Sequence, residues 1–138
     1  MKDKTIIGRI VKIDLPEFGI FNIEAKIDTG AFNSAIHCTN MKEEMTPSGM
    51  ILVFTLLDPK HSAFNGKRYS SHNFRMKIVK SSVGEQQKRY QVITKMILAG
   101  REIEVSLNLS DRKKMTKSVL IGRTAIAKNF LVDVSKKV

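Results

Sequence analysis

The sequence predicts an all-β domain, a sandwich or a barrel, with one short helix near its C-terminal end. Three observations carry this. Apolar and polar residues alternate in short runs along most of the chain, which is the period of half-buried strands. Turn chemistry separates the runs. Only one segment, late in the chain, has helical character. With 138 residues and 42% hydrophobic content, there is enough apolar surface for one buried core and too little chain for two ordinary domains. A single domain over 1–138 is therefore expected.

Taken in order, strands are expected over 6–13, 19–27, 50–57, 74–79, 90–98 and 102–107. In the second of these, Phe21, Ile23, Ala25 and Ile27 alternate with Asn22, Glu24 and Lys26. The separators are Leu15-Pro16-Glu17, Thr46-Pro47-Ser48-Gly49, Asp58-Pro59-Lys60, Asn65-Gly66, Val83-Gly84-Glu85 and Ala99-Gly100. Val119-Leu120-Ile121 reads as a further strand ending at Gly122. A short helix over 122–129 and a last strand over 130–134 follow. The tail Lys136-Lys137-Val138 is expected to fray.

The net charge of +11 favours anionic partners. With no Trp and no basic segment interleaved with Phe or Tyr, the chain offers no stacking platform for single strands, and nucleic acid is not expected as a partner. The first residues, with Lys2, Lys4, Gly8 and Arg9, fit neither a signal peptide nor a spanning helix, so no membrane is expected. Cys38 is the single cysteine, which rules out an internal disulfide and fits a reducing, cytoplasmic compartment.

The chemistry concentrates at Ala25-Lys26-Ile27-Asp28-Thr29-Gly30-Ala31, where an apolar strand stops at an acid, a hydroxyl and a glycine. A strand end can aim a carboxylate into a cleft, Thr29 can bond local backbone, and Gly30 permits close approach. The tripeptide alone is a weak signal; its placement strengthens it. His37 and Cys38 form no recognised metal-ligand spacing with His61 and His72, so His37 is read as a strand-end histidine satisfied by backbone. No base context makes Cys38 a nucleophile.

Residues spread along the whole chain carry a resemblance. Ile7-Gly8-Arg9, Leu15-Pro16-Glu17-Phe18-Gly19, the Asp28 loop, Ser34-Ala35-Ile36-His37, Val79-Lys80-Ser81-Ser82, Arg89-Tyr90, Asp111-Arg112, Met115 and Leu120-Ile121-Gly122-Arg123 together resemble a bacterial retropepsin-like aspartic peptidase family that bears the label "ATP-dependent zinc protease". The chain has no His-Glu-x-x-His zinc site and no Gly-x-x-x-x-Gly-Lys-Ser/Thr phosphate loop, so neither a metal nor another cofactor is expected. Two departures from the family pattern stand at Phe32-Asn33 and Ser118-Val119.

The resemblance implies a closed retropepsin-like β-barrel, the acid protease fold, with one short C-terminal helix. It implies an aspartic endopeptidase in which Asp28 is the catalytic acid, Thr29 fixes its loop, and Gly30 and Ala31 bring backbone near substrate. Two carboxylates are required and this chain has one Asp-Thr-Gly, so a homodimer sharing Asp28 from each subunit is expected. The family's association with ATP-grasp ligases that add glutamate implies acidic peptide substrates. Arg123, Arg89 and Lys80 are the candidate substrate-binding cations, with a bracing role for Arg123 kept open. The segment 61–73 is the candidate flap, with a disordered surface loop as the alternative. The rival reading is a non-catalytic binding module with a basic face for acidic peptides or nucleic acid.

Overall fold

The computed structural model describes residues 3–112 and 117–137. Met1, Lys2, the motif residue Met115 and the tail residue Val138 lie outside them. Eleven strands are described: β1 (Thr5–Ile7), β2 (Ile10–Leu15), β3 (Ile20–Ile27), β4 (Ser34–Thr46), β5 (Gly49–Leu56), β6 (Arg68–Ser71), β7 (Phe74–Lys80), β8 (Gln86–Leu98), β9 (Arg101–Ser110), β10 (Val119–Ile121) and β11 (Phe130–Val132). A 3₁₀ turn, Pro16–Phe18, joins β2 to β3, and one helix, α1 (Arg123–Ile126), follows β10.

Six strands close a ring in the order β10–β3–β2–β8–β9–β4, with β4 pairing back to β10. The expected closed, all-β barrel with one short helix is therefore what the chain forms. Closure removes the free edges of those six strands. Their inward positions, among them Ile13, Leu15, Ile36, Met96, Leu98, Leu107 and Ile121, are almost fully buried in one cluster. β5 and β6 extend the sheet from the far half of β4, and β7 pairs β8 alone.

Several sequence expectations change. The run 6–13 is two strands, because Gly8 and Arg9 turn the chain beneath its own C-terminal segment: Arg9 N–H donates to Lys136 O (2.8 Å) and Ile10 N–H to Lys137 O (2.7 Å). The expected fraying of Lys136 and Lys137 is thereby corrected. A side chain at Gly8 would press on this contact, its Cβ falling 2.6 Å from Lys136 O. The helix is shorter than 122–129 and the last strand shorter than 130–134.

One polar contact locks the 3₁₀ turn to the barrel. The Glu17 carboxylate accepts from the buried Thr94 hydroxyl (2.6 Å) and from Lys95 N–H (2.9 Å), and these bonds hold its pKa below the ordinary value. Glu17→Ala leaves both donors without that acceptor, a loss of about 1–3 kcal/mol, which should lower the melting temperature by several degrees at pH 7. A carboxylate with a depressed folded pKa stabilises above its unfolded pKa and loses that stabilisation as pH falls through the folded one. The gap between the two melting curves should close at acidic pH, and a constant gap would refute the assignment.

Candidate active site

β3 carries the chain straight to Asp28, and β10 arrives beside it in parallel, with Ile121 opposite Ile27. The Asp28 N–H donates to Ile121 O (2.9 Å), so the base of the loop is a continuation of the sheet. The loop then closes on itself: Asp28 Oδ1 accepts from Gly30 N–H (2.9 Å) and Asp28 O accepts from Ala31 N–H (3.2 Å). Asp28 is half-buried, while Thr29 and Gly30 are exposed. The carboxylate is thus held by the barrel yet open on one side. The bonds that close the loop come from Asp28 itself, and the Thr29 hydroxyl takes no part in them among the described residues.

The second half of the site is the segment after β10. Arg123 N–H donates to Ala31 O (2.8 Å) and Thr124 N–H to Phe32 O (3.0 Å), so the start of α1 is bonded to the loop's outer arm. Gly122 N–H donates to Ser34 Oγ (3.1 Å), and Ser34 is 1% exposed. Gly122 has ordinary extended backbone, φ −96° and ψ −179°, so its need for glycine is spatial. A Cβ there would meet the Asn33 carbonyl, with Asn33 C at 2.6 Å and Ala31 O at 2.9 Å. The distant pairing of Asp28-Thr29-Gly30 with Leu120-Ile121-Gly122-Arg123 is one continuous piece of architecture.

The candidate cations separate. Arg123 faces its neighbour: its guanidinium carbon stands 5.8 Å from the Phe32 ring centre, a cation–π distance, and Phe32 is 62% exposed. The departure at Phe32 thus supplies Arg123 with an aromatic wall. Arg89 and Lys80 lie on the β7–β8 hairpin, on opposite faces of it. The register pairs Phe74 with Val92, Met76 with Tyr90, Ile78 with Lys88 and Lys80 with Gln86 on the face that runs into the core. Lys77 and Arg89 pair on the other face. Beyond Tyr90, which is opposite Leu109 at the end of β9, the hairpin is a two-stranded ribbon projecting from the body, with Val83 at its tip 79% exposed.

The segment 61–73 is docked: Ala63 and Phe64 pack on the core, Asn65 Nδ2 donates to Tyr69 Oη (2.8 Å), and β6 pairs β5. At the ribbon's base Tyr90 Oη donates to Glu43 Oε2 (2.8 Å), and Lys88 Nζ lies 3.8 Å from the same oxygen, tying β8 to β4. Burial and the adjacent carboxylate push the Tyr90 hydroxyl's pKa up.

The polar residues weighed in the sequence take structural roles. His37 is buried, and its Nδ1 accepts from Arg112 N–H (2.7 Å), with an Asp111 carboxylate oxygen at 3.6 Å. It is satisfied by backbone as expected. His61 Nδ1 likewise accepts from Ala63 N–H (2.9 Å). Burial pushes the Cys38 thiol up to about 12, which removes the thiolate a nucleophile needs. Among the described residues no three His, Cys, Asp or Glu side chains gather as metal ligands, and no helix is long and apolar enough to cross a membrane. Ser34, Glu43 and Glu17 were given no role by the sequence, because their partners lie 88, 47 and 77 residues away.

Comparison with known proteins places this geometry. A family model described as "RimB-like: Retropepsin-like aspartic endopeptidase RimB" matches residues 6–138. Probable alpha-L-glutamate ligases are similar over nearly the whole chain: that of Shewanella pealeana is 33% identical over 134 residues, and that of Desulfotalea psychrophila 28% over 130 residues. These stretches cover 97% and 94% of this chain but 29% and 28% of the ligases, so the chain spans less than a third of their length. Among solved structures, protein Lpg0085 of unknown function from Legionella pneumophila superposes with a TM-score of 0.74 at 28% identity, covering 96% of this chain and 95% of that one.

Proposed function

The chain belongs to the RimB-like family of retropepsin-like aspartic endopeptidases, and from that premise we propose that it hydrolyses peptide bonds as a twofold homodimer with Asp28 of each subunit forming the catalytic pair. The observation that carries this is the single Asp28-Thr29-Gly30 loop, pinned beneath by Ile121 and Gly122 and open above. One such loop supplies one carboxylate, and the chemistry needs two. The exposed Thr29 and Gly30 leave that surface available to a second copy.

Two aspartates in contact cannot both ionise, so they hold one proton between them and titrate as a pair. The ionised one removes a proton from a water, whose oxygen attacks the peptide carbonyl. The neutral one gives its proton to the carbonyl oxygen, forming a tetrahedral diol. Collapse of the diol breaks the C–N bond, the departing nitrogen takes a proton, and the pair returns to its starting state.

For the substrate, we take the similarity to glutamate ligases and the cations together. Lys80, exposed on the ribbon, and Ala31, beside the acid, are the contacts proposed for a glutamate-rich segment, the lysine through charge-assisted pairing. Arg89 lies on the opposite face of the hairpin from Lys80. Association with an ATP-grasp ligase and a cytoplasmic site of action belong to the same proposal. The test is incubation of the protein with α- and γ-linked glutamate peptides, read by mass spectrometry, alongside light scattering. Cleavage by a dimer is expected. A protein that stays monomeric with and without peptide would overturn the shared pair, and a dimer that leaves both linkages intact would overturn the substrate.

A further inference from the structure

The outer face of the β7–β8 ribbon carries Arg75, Lys77 and Arg89, with Lys77 directly opposite Arg89 and Arg75 opposite Gln91. All three cations are exposed, and none takes part in the ion pairs of the described residues. Like charges facing each other across two strands cost stability. The outer side of β7 and that of β8 before Tyr90 both lack a described partner strand, and charge there protects open edges, but edge protection does not call for like charges set directly opposite each other, as Lys77 and Arg89 are. Gln87 and Gln91 continue the same face, and Gln91 Nε2 donates to Asn108 Oδ1 (2.9 Å) on β9.

We propose that this face binds the phosphate backbone of a nucleic-acid duplex, independently of the Asp28 site. Successive same-face residues on a strand are about 6.6–6.8 Å apart, so Arg75, Lys77 and Arg89 form a compact triangle of donors for neighbouring phosphates. A projecting two-stranded ribbon is also a shape that a duplex major groove admits. An acidic peptide would be held in a groove or added as a strand along a sheet edge; added to the open edge of β7 it would run beside one strand and engage main chain, leaving the Lys77–Arg89 pair across the ribbon without a role. The aromatic residues of the hairpin, Phe74 and Tyr90, run into the core, which excludes base stacking and leaves phosphate contact, readable without sequence preference.

The experiment is fluorescence anisotropy with 20-base-pair DNA and RNA duplexes across a salt series, using the full chain and a triple variant, R75Q/K77Q/R89Q. Loss of three phosphate contacts should reduce the slope of log K against log salt by about 2.7 and weaken binding roughly 100-fold or more at 100 mM salt. The triple variant should melt no lower than the parent, since it removes repulsion. K80Q/K88Q, on the opposite face, should change the slope by less than about one, and Asp28→Asn should bind duplex as the parent does, which separates this site from the catalytic reading. Any of three results would overturn the proposal: no binding by the parent chain at 50 mM salt, an unchanged slope in the triple variant, or polyglutamate displacing duplex at equal charge concentration.

Discussion

Asp28→Asn should remove the proposed peptide hydrolysis while leaving the fold and the proposed dimer intact. The asparagine is close to isosteric, and its side-chain oxygen can still accept from Gly30 N–H, the bond that closes the loop in the parent (2.9 Å). What it cannot do is share a proton with a second carboxylate. General acid–base assistance is worth about 10²–10⁴-fold, and the exchange removes it from both subunits at once, so turnover should fall by about 10³-fold or more. Melting temperature and light scattering should match the parent. Hydrolysis at the parental rate would eliminate the mechanism outright.

Mixing gives a sharper reading of the same residue. If each active site draws one Asp28 from each subunit, only dimers of two parental chains work. After equal amounts of parent and variant exchange subunits at random, activity should fall to about a quarter of that of the same total concentration of parent. If each subunit carried its own site, the value would be about half. The quadratic and linear curves diverge most near equal mixing, where the measurement is easiest.

How far the sequence reached, and where it stopped, follows from which residues are buried on one face only. β3, β5 and β7 lie within a residue or two of the alternating runs, because each has one wet face or projects into solvent. β4 does not alternate: Ser34 to Cys38 are all buried, and the second half of the strand is mixed. A strand inside a closed ring and pinned under Gly122 and Leu57 loses its period-2 signature. The exposed start of β8, residues 86–89, hides for the opposite reason, since both of its faces are wet. At the site, Asp28 was legible because a strand ended there, and Arg123 because it followed a glycine. That Arg123 stacks on Phe32, and that Arg89 and Lys80 stand on opposite faces, depends on register, which no local pattern specifies.

Gly122→Ala should be the most damaging conservative change away from the carboxylate itself. The backbone at Gly122 is extended, a conformation alanine adopts freely, so conformational preference contributes little. Space decides it. The new methyl would overlap the Asn33 carbonyl and crowd Ala31 O at 2.9 Å, and these are main-chain atoms of the very loop that Arg123 and Thr124 bond to. A flexible side chain could turn aside; a loop tied at both ends cannot. Overpacking costs about 1–3 kcal/mol where neighbours can shift, so a cost near about 3 kcal/mol or above is expected here, with a melting temperature lower by about 10 °C. Gly19→Ala is the control with the opposite cause: φ is +64° and nothing lies within 4 Å, so the cost is conformational only, about 1 kcal/mol. If the Asp28 loop is positioned by Gly122, the Gly122 variant should also lose turnover at temperatures where it remains folded, while the Gly19 variant keeps it. Equal melting temperatures for the two variants would show that the loop yields, and that Asp28 is positioned by β3 alone.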